Sequence, residues 1–243
     1  MIATRKAEKE ILESMGLKEA PVYDKGQFAI FSEAVEVRKK ELIDRWESIG
    51  NESMEFGNWI DNNLSAPLRG QKCDPKLQHI VDDLAKEHRF YAEELDQVIL
   101  YSDALGVCGT TDRISLRPGR TEPRIVDIFD YKTGINKGIV YDSNYWKDGK
   151  KYFKNEFLMP PLEHIEECTY TRYALQLAAY GVLAEIMYGV KVGMLAIIYV
   201  SLNEDNSISY KKIPVPYMKW EIQTLFQQVR ATKDYLQRNS IHD

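Results

Sequence analysis

The hydrophobic period of this chain switches twice after residue 95, which restricts the fold more than any other feature of the sequence. Residues 98–101, 107–116 and 124–131 are short β-branched and apolar runs, broken by Asp103-Ala104 and by Arg117-Pro118-Gly119-Arg120. Breaks this short suit an antiparallel meander. Residues 163–188 then read as one long helix, apolar on most sides over 174–187 and therefore buried. A strand follows at 194–200, a polar edge strand at 207–214 and an amphipathic helix at 218–238. The passage from meander through helix to strand predicts a parallel pairing by a right-handed crossover. The expected class is α/β.

The region before the switch is polar and helical in period. Helices are predicted at 4–15, at 31–48 with Val35, Leu42, Ile43 and Trp46 on one face and a stop at Gly50, at 55–64 and at 75–91. The predicted organisation is a helical region, 1–91, packed on a core, 92–243. At 243 residues, one elaborated domain is the default expectation. Hydrophobic residues at 44% and charged residues at 28% are the balance of a globular chain and argue against disorder. The longest apolar run, 194–200, is too short to cross a bilayer, so no membrane association is expected. Residues 1–10 hold no apolar stretch, so no leader is read there. Cys73, Cys108 and Cys168 are too few and too scattered for a disulfide framework or a four-thiolate site, and a reducing cytoplasm is the expected location. A net charge of −5 argues against a surface that grips nucleic acid everywhere, while leaving room for a local basic groove.

Alternate residues of a strand share a face. That places Cys108, Thr110, Asp112 and Ile114 together on the second strand, and Val126, Ile128, Asp130 and Lys132 on the third. If the two strands form a hairpin, Asp112 and Asp130 become neighbours. Two such carboxylates repel unless a cation or proton lies between them, and a hard ion such as Mg²⁺ suits oxygen ligands. Lys132, two residues beyond Asp130, can hold a water and stabilise charge on a phosphate oxygen. These are the parts of metal-assisted phosphodiester hydrolysis. A surface ion pair at a strand end is the ordinary alternative for so short a pattern.

The surrounding blocks add to this. Gly109, Asp112 and Ile114 stand in a G-x-x-D-x-I pattern, Asp130 to Gly134 read D-x-K-T-G, and Gln176 and Tyr180 form Q-x-x-x-Y on the following helix. In that order they resemble the PD-(D/E)XK nucleases, and among them the RecB-like exonucleases of recombination enzymes, phages and mitochondrial genome maintenance. The resemblance implies a restriction-endonuclease-like core of helix, three-strand meander, crossover helix and strand. It implies that Asp112 and Asp130 bind Mg²⁺ or Mn²⁺ with the main-chain carbonyl of Tyr131, that Lys132 positions the attacking water, and that Gln176 braces the site or touches substrate. Tyr180 lies one turn on, and Arg172, four residues before Gln176, is a candidate phosphate contact.

Two departures stand out. Many RecB-like members carry an upstream G-x-x-x-H. Here Gly57 opens that frame and Asp61 fills the histidine's place, as a candidate third metal ligand or a plain solvated helix position. The family's acidic residue near the first strand is matched by Glu93, Glu94 or Asp96. The cysteines that hold an iron–sulfur cluster in some relatives are missing, so no such cluster is expected.

Residues 141–157 interleave Lys147, Lys150, Lys151 and Lys154 with Tyr145, Trp146, Tyr152 and Phe153. This mixture can hold single-stranded DNA through backbone charge and base stacking, or can be a solvated loop with its aromatics anchored in the core. The reading is a metal-dependent DNA nuclease, an exonuclease of single-stranded or frayed ends in replication, recombination or repair, of phage or bacterial kind. The alternative is a DNA-binding or recruitment subunit that meets a recombination or replication protein through the N-terminal helices.

Overall fold

A computed structural model describes residues 2–20, 24–120, 122–135, 138–147, 150–152, 154 and 156–239, with the backbone alone at 88, 145–147, 233 and 235–239. The chain divides into two units, Met1–Phe56 and Gly57–Asp243, and the division falls within a helix.

In the first unit, α1 (Ile2–Met15) and the first part of α2 (Lys25–Ser65) bury Ala7, Phe31, Val35 and Leu42 against one another. Asp24 starts α2 by accepting the backbone N–H groups of Gly26 at 2.9 Å and Gln27 at 3.0 Å. The helix runs through Gly50 without a stop and joins what the sequence suggests are two helices. A glycine in a helix interior costs only about 1 kcal/mol, which neighbouring turns outweigh.

In the second unit, α2 ends in a 3₁₀ turn, Ala66–Arg69, closed by Gly70 in the left-handed conformation. The predicted helix at 75–91 is a 3₁₀ turn, Pro75–Leu77, followed by α3 (Gln78–His88). The sheet has five strands, in the order β1 (Glu93–Ser102), β2 (Val107–Leu116), β3 (Ile125–Ile135), β6 (Lys191–Leu202) and β7 (Ile208–Val215). The first three form an antiparallel meander, β6 pairs parallel to β3, and β7 returns antiparallel. Within 141–157, where the sequence shows no period, the two short strands β4 (Tyr145–Lys147) and β5 (Lys150–Tyr152) pair apart from the main sheet.

Helix α4 (Thr169–Tyr188) connects β3 to β6 and begins six residues later than the sequence suggests. The Glu166 carboxylate accepts from the Ser143 N–H at 2.7 Å and hydroxyl at 2.6 Å, and Phe157 and Glu166 form a β-bridge, which draws the preceding segment out of helix. Cys168 caps the helix, its Sγ accepting from the Thr171 N–H. One face of α4 packs Ala174, Leu177, Ala178 and Tyr180 against Leu100, Ile114, Val126 and Ile128 of the meander. α5 (Lys219–Asn239) follows β7. No helix among the described residues is long and apolar enough to cross a membrane.

Candidate active site

The register of β2 and β3 builds the site. Arg113 lies opposite Phe129 and Ile114 opposite Ile128, so the next rung sets Asp112 across from Asp130. There the ladder gives way to a side-chain contact. Asp112 Oδ2 accepts the backbone N–H of Tyr131 at 2.6 Å, and the carboxyls of Asp112 and Asp130 come within hydrogen-bond reach of each other. Asp130 is buried and Asp112 half-buried. Burial is the largest influence on both and raises both pKa values; the charge of Asp112 adds to it at Asp130, while the Lys132 ammonium opposes it.

Lys132 forms an ion pair with Asp130 and lies 5.2 Å from the centre of the Tyr173 ring. Burial is the largest single influence and disfavours its ammonium, but the charge and hydrogen bond of Asp130 and the charge of Asp112 together outweigh it and hold the pKa above the usual lysine value. Tyr173 is absent from the sequence reading; its place three residues before Gln176 on α4 is the signal that marks the shared face. Gln176 donates to the Tyr180 hydroxyl at 2.8 Å. The Tyr180 ring lies so close to Gly109 that a Cβ there would sit 2.6 Å from it, which gives the first glycine of the second-strand block a steric reason. Burial is the main cause of a raised Tyr180 pKa, and the charges of Asp130, Lys132 and Asp112 also reach it.

Asp61 lies on α2. It meets Asp112 through Gln97, whose Nε2 donates to both Asp61 oxygens at 3.0 Å and to Asp112 Oδ1 at 3.3 Å. Burial, then the Asp112 charge, push Asp61 up to about 6. Among the described residues, no three His, Cys, Asp or Glu side chains gather closely enough to hold one ion as they lie. Gln97 could not be singled out from sequence, because its part depends on a break in strand pairing.

The acidic residues at the start of β1 go elsewhere. Glu94 accepts from Ser115 Oγ at 2.8 Å and pairs with Arg113 at 3.2 Å, and Asp96 pairs with Arg69 at 2.6 Å. Arg172 is exposed and ion-paired with Glu167. On the β4–β5 hairpin Lys150 and Lys151 are exposed, and Lys151 pairs with Asp142 at 2.9 Å. The backbones of Trp146 and Lys147 lie opposite Lys151 and Lys150, while their side chains, and Phe153 altogether, lie outside the described residues.

The sheet and the helices packed on it define a mixed α/β chain with a carboxylate pair and a lysine on one sheet face. No family model matches the chain, and no curated protein matches it. Among solved structures, the chain is similar to a crystal structure from Eubacterium rectale, provisionally named an exonuclease, with a TM-score of 0.39 and 15% identity. The match covers 76% of this chain and 66% of that one, just under two thirds of its length.

Proposed function

We propose that this chain is a divalent-metal-dependent nuclease with a restriction-endonuclease-like core, acting as an exonuclease on single-stranded or frayed DNA ends. The observation that carries the reading is the register that sets Asp112 across from Asp130 on neighbouring strands, with Lys132 paired to Asp130 on the same face. Two crowded carboxylates of raised pKa call for positive charge, and an all-oxygen donor set fits Mg²⁺ or Mn²⁺. Asp112, Asp130 and the Tyr131 carbonyl would hold that ion. When bound, it supplies Lewis-acid charge at a phosphate oxygen and acidifies a water.

The chain's own groups do the rest. Lys132, steadied by Asp130 and the Tyr173 ring, holds the attacking water and offsets charge on the phosphate. Gln176 fixes the Tyr180 hydroxyl beside these groups. Lys150, Lys151 and Arg172 are exposed cations for the DNA backbone.

The test is cleavage of labelled single- and double-stranded DNA, with and without free ends, in Mg²⁺, Mn²⁺ or EDTA. Linear DNA should be degraded in the metals only, and closed circles should survive. Lys132→Met should retain DNA binding and lose roughly 10²–10³-fold in single-turnover rate. Cleavage that persists in EDTA would sink the metal reading. DNA binding without cleavage in any metal would instead make the chain a binding or recruitment subunit.

A further inference from the structure

Gln97 breaks the ladder to which it belongs. In the β1–β2 pairing Asp96 lies opposite Arg113 and Val98 opposite Thr111, which leaves Gln97 facing Asp112 on an omitted rung. Its φ is 51°, in the left-handed region that side-chain-bearing residues rarely enter. The side chain freed in this way turns to the carboxylates. An amide nitrogen set among three carboxylate oxygens, at 3.0, 3.0 and 3.3 Å, stands where positive charge is wanted. It also ties a helix residue to a strand residue that share the same sign of charge and would otherwise move apart.

We propose that Gln97 is a positioning residue of the metal centre, drawing Asp61 toward Asp112 so that Asp61 joins Asp112 and Asp130 in holding one divalent ion. This rests on the reading of Asp112 and Asp130 as metal-binding. The bonds from Nε2 hold the Asp61 carboxylate beside Asp112, and an ion bound there would have to draw Asp61 and Asp130 the rest of the way together.

Mn²⁺ binding measured by titration calorimetry without DNA tests this on the full chain. Gln97→Met should weaken Mn²⁺ binding by about 10–100-fold, the usual effect of losing a residue that orients a ligand. Gln97→Asn should weaken it similarly. Asparagine tolerates the left-handed backbone, but its amide is one methylene too short to span both carboxylates. This second variant decides the matter if the methionine variant does not fold. Melting temperatures in EDTA should stay close to wild type, which separates the loss from a folding defect. Asp61→Asn should weaken binding to the same degree, and adding Gln97→Met to it should cost nothing more. Binding within twofold of wild type in the Gln97 variants, or additive losses in the double variant, would overturn the assignment. Asp112→Asn tells the two readings apart. If it abolishes Mn²⁺ binding while the Gln97 variants bind normally, only the role of Gln97 falls. If wild type does not bind Mn²⁺, or Asp112→Asn binds as wild type does, the metal reading fails and takes this inference with it.

Discussion

Asp127 and Asp130 lie three residues apart on β3, at 1% and 2% exposure, yet their surroundings have opposite character. Asp127 accepts from the Tyr91 hydroxyl at 2.6 Å, the Met194 backbone N–H at 2.7 Å, and Arg117 through Nη2 at 2.8 Å and Nε at 2.9 Å. Its oxygens are saturated by donors. Asp130 pairs with the Lys132 cation, and a second carboxylate, Asp112, lies across from it on the neighbouring strand. Burial is the same; the partners differ. A saturated buried carboxylate holds structure together, whereas one crowded by its own kind is set up to receive charge.

Substitutions at the two aspartates should separate these roles most sharply. Asp130→Asn is expected to lower DNA turnover by about 10³-fold, with little change in melting temperature. Asp127→Ala should do the reverse, leaving Tyr91, Met194 and Arg117 without their acceptor. The expected cost is about 3–5 kcal/mol in urea unfolding, with turnover per folded molecule preserved. Comparable activity losses in both would erase the distinction.

Two glycines sharpen it at smaller scale. A Cβ on Gly193 would lie 2.5 Å from Asp127 Oδ1, and one on Gly109 would lie 2.6 Å from the Tyr180 ring. Alanine at either position should cost about 1–3 kcal/mol through overpacking. Only Gly109→Ala should also slow cleavage, because it displaces the Tyr180 hydroxyl that Gln176 holds. Equal slowing by Gly193→Ala would show that the two regions are not independent.

The last contrast concerns Asp61 and pH. Its folded-state pKa, raised from 3.8 to about 6, means that the folded chain holds this proton more tightly than the unfolded chain. In EDTA, stability should therefore fall as pH rises from about 4 to about 6, and Asp61→Asn should remove that part of the decline. Urea titrations across this window would show the wild-type and variant curves converging below pH 4. Curves that stay parallel throughout would assign the decline to other groups.

The sequence made legible those features that depend on local pattern. β2 shows its whole extent because turn residues bound it on both sides, and the Asp112, Asp130 and Lys132 positions follow from alternation and one short hairpin. β1 begins five residues before its apolar part, since Glu94 and Asp96 are held by Arg113, Ser115 and Arg69 from elsewhere in the chain. A period of two in hydrophobicity does not register a strand stabilised by ion pairs. Gln97 was illegible for a related reason: a broken rung and a helix residue 36 positions away together define its role. Asp127 carries no local mark either, because its donors come from Tyr91, Arg117 and Met194.

Every residue of β6 from Leu195 to Val200 is buried, so the strand is apolar on both faces. Such a strand loses nothing by sliding one residue, and its composition does not state which side belongs to α4. The phase is set at a single place. Val126 pairs with Val192 and Ile128 with Leu195, so β6 has one residue more than β3 across this interval. Asp127 closes on that surplus by accepting the Met194 N–H, with Gly193 leaving room for its oxygen. The clamp thus acts as an index mark for the parallel ladder that follows. A β6 displaced by one residue would still fill the core, but Ile198 would stand opposite Lys132 where Tyr199 now stands.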